Sequence, residues 1–180
     1  MAAARNPAKK LMNLYEILDL VQAHTFRAAF LSLLIYSLYF TRRDSFTVTL
    51  CLMCFLVMIH MVLDDLMMIW YDEGYTELVK HAWYLFFAAT DFALVFTAYY
   101  LIDKYKIPMQ KVSRLILMAY ITLGFVQVAR YADRIVFKTD LIGGLYTSLI
   151  PTINGCLTVS ILVYSVGAVW MHRSKRSKEV

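Results

Sequence analysis

Residues 82–102 read AWYLFFAATDFALVFTAYYLI: 21 positions, almost all apolar, with one charge, Asp91, near the middle. At a helical rise of ~1.5 Å per residue such a run crosses a hydrocarbon core of ~30 Å, which predicts a membrane-spanning helix with a carboxyl near the bilayer midplane. Inserting an ionisable group at that depth costs at least ~2.5 kcal/mol. The carboxyl must therefore be paired, hydrated or protonated, and Asp91 is the first candidate for a functional group. The alternative reading is a buried hydrogen bond that joins two helices.

The rest of the chain has the same character. Hydrophobic residues make up 61% of the 180, mean hydropathy is +0.58, and long apolar stretches alternate with short charged loops. A soluble core of this length needs no such excess, so the expected fold is all-α, a polytopic transmembrane helix bundle in one compact domain. The formal charge of +5 is dispersed over the loops. In a polytopic protein such charge marks cytoplasmic loops and phospholipid contact, so the expected surroundings are the lipid bilayer and no nucleic-acid partner is expected. Arg5, Lys9 and Lys10 are followed by Glu16 and Asp19 rather than by a short apolar segment with a small-residue cleavage site, and a cleaved secretion signal is not expected.

Five spans are expected. The domain boundaries read as an amphipathic interfacial segment at 1–27, a bundle at 28–172 and a basic cytoplasmic tail at 173–180. Residues 28–41 are uncharged but only 14 long, so this first span has to borrow length from snorkelling of Arg27 and Arg42. The second span is 45–63, with its helix continuing through Asp64 and Asp65 to Trp70. The third is 82–102. The fourth is 115–129, and the fifth is 141–171, interrupted by Pro151, which predicts a bend. Placing the 103–114 loop, Arg42 with Arg43, and the C-terminal tail in the cytoplasm collects 10 of the 18 Lys and Arg residues there. The N-terminus then lies outside with its own basic residues. Four spans plus an interfacial N-terminal segment is the alternative that charge alone favours. A compact chain of this kind suggests the inner membrane of a bacterium, with the C-terminus cytoplasmic.

Several polar groups accompany Asp91. Between residues 45 and 102 stand six acids, Asp64, Asp65, Asp72, Glu73, Glu77 and Asp91, against one Lys, Lys80. Five of them gather at one end of the bundle, where converging carboxylates would concentrate cations, although a solvated acidic surface gives the same pattern. His60 and Asp64 are one turn apart on one helical face. With Asp65 at the mouth, Asp64, His60 and Asp91 would form a stepped proton or cation path towards the midplane, against the plainer reading of His60 as a packed histidine. Gln127, Arg130, Asp133 and Arg134 end the fourth span on the same side. Either arginine could neutralise Asp64 or Asp65 in a structural charge network.

Gly144, Ser148, Thr152, Cys156 and Ser160 recur every four residues, a small-residue stripe that suits close helix packing within the chain or against a second copy. Cys51 and Cys54 form a CxxC, but the third cysteine, Cys156, provides no second redox pair. The four histidines are scattered, the methionines read as apolar filler, and no phosphate loop, zinc helix or nucleophile elbow occurs. No cofactor and no metal are expected. The leading expectation is an oligomeric ion- or proton-conducting protein, and the rival is a non-catalytic subunit or anchor bound to another membrane protein.

Overall fold

The computed structural model describes residues 24, 27–40 and 44–176. Most of the expected interfacial segment 1–27, the Arg42–Arg43 turn and residues 177–180 of the expected basic tail lie outside them. Helix α1 covers Arg27–Tyr39, α2 Ser45–Asp72, α3 Thr76–Lys104, α4 Lys111–Tyr131 and α5 Gly143–Arg176. A π-helical turn, Ala132–Val136, follows α4 directly. Among the described residues there is no strand.

Among the described residues four helices are long and apolar enough to cross a membrane: Ser45–Asp72, Thr76–Lys104, Lys111–Val136 and Gly143–His172. Helix α1 holds 13 residues and spans ~20 Å, short of the ~30 Å core. Asp64 and Asp65 lie inside α2 as expected. The fourth segment is longer than expected, because the π turn carries it past Arg130 to Val136, and α5 runs through Pro151 without a break in helix. Large apolar side chains such as Phe55, Val62, Phe96, Phe125 and Val163 stand exposed around the bundle, an apolar outer surface suited to lipid.

Local chemistry explains the helix limits. Asp44 caps α2, its Oδ1 accepting from the Thr47 amide at 2.8 Å and from the Thr47 hydroxyl at 3.0 Å. Helix α2 stops in a Schellman turn: the Gly74 amide donates to the Tyr71 carbonyl at 3.1 Å and the Tyr75 amide to that of Trp70 at 3.0 Å. Gly74 there has φ +96°, which a Cβ would oppose. Helix α3 ends in the same motif with Lys106 at φ 51°, the Lys106 amide reaching Asp103 and the Ile107 amide reaching Ile102. Lys138, with φ 54°, follows the π turn, and the Thr139 amide donates to the Asp133 carbonyl at 2.9 Å.

The helices run up and down, α3 packing most extensively on α4 and on α2, with α5 against α4. Phe46, Leu50 and Met53 of α2, Ile116 and Leu117 of α4 and Ile161 of α5 form the closed centre. Helices α3 and α4 approach closely at Gly124, where a Cβ would stand 2.9 Å from the Phe92 ring. Tyr36 of α1 stacks on Phe40 and meets Phe46 and Tyr164, which attaches α1 to α2 and α5.

Candidate functional site: the Asp91 interior

The inner seam of α3 is Tyr84, Ala88, Asp91, Val95, Ala98 and Ile102, a three-four spacing that points one stripe at the neighbouring helices. Asp91 occupies this seam, near the middle of a 29-residue helix and 4% exposed. Among the described residues its carboxyl makes no hydrogen bond and no ion pair. The buried Tyr120 of α4 lies within electrostatic range of both Asp91 and Cys54 of α2. One carboxyl, one phenol and one thiol thus share the interior of three helices.

His60 does not meet Asp64. Its Nε2 lies 2.8 Å from the Thr90 hydroxyl, and its ring packs edge-on against Phe87 at 4.5 Å. Thr90 donates to the Phe86 and Phe87 carbonyls of its own helix at 2.9 and 3.0 Å, so its oxygen is left to accept from a protonated Nε2. His60 therefore stands level with Thr90 and Asp91 rather than a turn above them. Asp64 is half-buried with its Oδ1 closed off and unbonded, and Asp65 beside it is exposed. Thr90 was not singled out from sequence, although a hydroxyl next to the only charge in an apolar span was the available signal.

The arginines at this end do not reach Asp64 or Asp65. Arg130 is 7% exposed and bonds Asp133 through Nη1 at 2.7 Å and Asp140 through Nη2 at 2.6 Å, with its guanidinium 5.8 Å from the Tyr146 ring centre. Asp133 also accepts from the Thr139 hydroxyl at 2.5 Å and from the Leu141 and Ile142 amides, both at 3.2 Å, which fastens the loop that leads into α5. Gln127 accepts from the Tyr146 hydroxyl at 2.8 Å, and Arg134 donates to that of Tyr84 at 3.0 Å. The four residues Gln127, Arg130, Asp133 and Arg134 thus tie α4 to α5 and α3, while α2 keeps its acids to itself.

The opposite end holds a polar network that sequence reasoning missed. Asp44 Oδ2 accepts from the Tyr36 hydroxyl at 2.5 Å and from Gln110 Nε2 at 3.2 Å. Ser45 Oγ accepts from the Gln110 amide at 2.9 Å and from Ser113 at 3.1 Å, and Tyr164 donates to Gln110 Oε1 at 3.2 Å. Four helices are joined by pairs up to 68 residues apart, a separation that no local pattern reveals.

On α5 the buried face is Pro151, Gly155, Thr158, Ile161, Ser165 and Ala168. The stripe looks elsewhere: Gly144, Thr152 and Cys156 are exposed, and Ser148 and Ser160 are intermediate. The Ser148 and Thr152 hydroxyls donate to carbonyls one turn back in α5. Cys51 is exposed, Cys54 is buried, and both are free thiols. Among the described residues no three His, Cys, Asp or Glu side chains gather as a metal site. No family model, no curated protein and no solved structure matches this chain.

Proposed function

We propose that the protein moves protons or a small cation across a membrane, with Asp91 as the central binding group. The observation that carries this reading is an interior carboxyl, halfway along a spanning helix, that has neither a hydrogen bond nor an ion pair among the described residues. A purely structural acid at that depth is expected to bind a polar group on the next helix, and Asp91 leaves its oxygens open to a mobile proton or ion. Asp64, His60 and Thr90 give the approach from the acidic end, with Thr90 bonded to His60 and next to Asp91 in the chain. In this reading α1 is a short fifth span, the C-terminus faces the cytoplasm of a bacterial cell, and copies associate in the membrane because a single bundle leaves little room for a pore.

The test is flux into proteoliposomes that hold the purified protein, compared with Asp91→Asn. Proton or cation flux in the parent should fall at least tenfold in a folded Asp91→Asn protein, since the near-isosteric amide cannot take a proton or pair with a cation. Equal flux in the two proteins removes Asp91 from the path. No flux in either, with equal size in detergent, moves the reading to a subunit of a larger membrane complex. One observation favours that second reading: Gly144, Thr152 and Cys156 of the stripe on α5 are exposed, a small-residue surface suited to another helix.

A further inference from the structure

The acidic end of the bundle contains a cavity of about 350 Å³ lined by Glu77, Lys80, His81, Arg134, Ile135 and Lys138. Three permanent cations face one carboxylate. Among the described residues, the Lys and Arg side chains at this end are Lys80, Arg130, Arg134 and Lys138, and Arg130 is held by Asp133 and Asp140. The other three described cations, Lys80, Arg134 and Lys138, line the same cavity.

Backbone features bring them there. The π turn sets Asp133 inward and Arg134 towards α3, where Nη1 is held 3.0 Å from the Tyr84 hydroxyl and the other guanidinium donors stay available. The left-handed residue Lys138 reverses the chain just after that turn, beside the start of α3. The N-cap of α3, Tyr75, makes no side-chain cap bond, so the positive end of this long helix adds to the field. His81 is anchored by Nδ1 at 3.0 Å from the Tyr131 hydroxyl and forms part of the wall. The one competitor is Glu77, which holds Lys80 at 2.7 Å with side chains 76% and 39% exposed. Such an exposed pair is weak and gives way to a stronger anion.

We propose that this cavity binds a phosphate group, carried by an anionic lipid headgroup or free in solution. A guanidinium fork with two ammonium groups suits the tetrahedral oxygens of a phosphate, and in a spanning bundle the cavity lies at headgroup depth. The proposal is independent of whether Asp91 conducts.

The test is calorimetric titration of the full chain in non-ionic detergent with short-chain phosphatidylglycerol, short-chain phosphatidylcholine and inorganic phosphate. Phosphatidylglycerol or inorganic phosphate should bind saturably, and Arg134→Gln with Lys138→Gln should weaken binding about tenfold or more. Lys106→Gln with Lys111→Gln, at the other end of the bundle, should change nothing. Glu77→Gln removes the competitor and should tighten binding roughly threefold; with Lys138→Gln alone it carries the test if loss of the Arg134–Tyr84 bond prevents folding. Binding of the lipid alone identifies a headgroup site, and binding of inorganic phosphate identifies a site for the free ion. The proposal fails if neither probe saturates on the folded parent, if phosphatidylcholine binds as tightly as phosphatidylglycerol, or if the cavity substitutions leave binding unchanged.

Discussion

Thr90 meets His60 through its oxygen and directly precedes Asp91 in the chain. Thr90→Val keeps the branched shape and deletes the hydroxyl, so it should cost about 1 kcal/mol, the net worth of one hydrogen bond. Thermal unfolding should then fall by only ~2–4 °C. If the approach to Asp91 runs through this hydroxyl, flux in proteoliposomes should drop severalfold in the same variant, and unchanged flux would restrict His60 and Thr90 to packing. The sequence made Asp91 legible because a single charge in an apolar span is conspicuous. Thr90 was not, because a hydroxyl in a helix satisfies itself on its own backbone and reads as filler. The His60–Asp64 pair looked plausible from spacing alone, yet a partner on a neighbouring helix displaces an intrahelical contact whenever its geometry is better, and spacing carries no information about that neighbour.

The helices themselves were readable as apolar runs, whereas their ends depended on backbone conformations with no local signature. Among the described residues the three with positive φ, Gly74, Lys106 and Lys138, all terminate helical segments, and two of them are lysines. A left-handed lysine pays roughly 1 kcal/mol or more that glycine does not, partly offset by the greater freedom of glycine in the unfolded chain. Lys106→Gly should therefore stabilise the protein by up to about 1 kcal/mol, visible as a rise of ~2–4 °C in thermal unfolding. Its ion pair with Asp103 is more than 80% exposed on both sides and should be missed little. A fall in the midpoint would mean that the Lys106 side chain contributes more at this turn than its backbone costs. The π turn was equally hidden, since a widened turn leaves the apolar pattern intact, and it moved the end of the fourth segment from the expected 129 to Val136.

At the scale of the whole molecule, the bundle is fastened at both ends by polar networks while its outer surface is apolar. Tyr36, Asp44, Ser45, Gln110, Ser113 and Tyr164 close one end, and Gln127, Arg130, Asp133 and Tyr146 close the other. The all-helical class followed from hydropathy, but the number of crossings did not, because α1 is apolar enough to enter a bilayer and too short to cross one unaided. Single cysteines in a background where Cys51, Cys54 and Cys156 are replaced by serine decide it with a membrane-impermeant maleimide. Glu73→Cys, between α2 and α3, should label in intact cells, and Ser174→Cys, near the end of α5, only after permeabilisation, as the positive-inside arrangement requires. The reverse pattern would invert the orientation. Ala3→Cys then reads the fate of α1: labelling in intact cells means five crossings with the N-terminus outside, and protection until permeabilisation means four. The second result would place Arg5, Lys9 and Lys10 with the other basic loops and leave α1 embedded from one side, held by Tyr36 against Phe46 and Tyr164. The first would require the snorkelling of Arg27 to supply the missing length, and Arg27→Leu should then lower the fraction of chains labelled at Ala3→Cys.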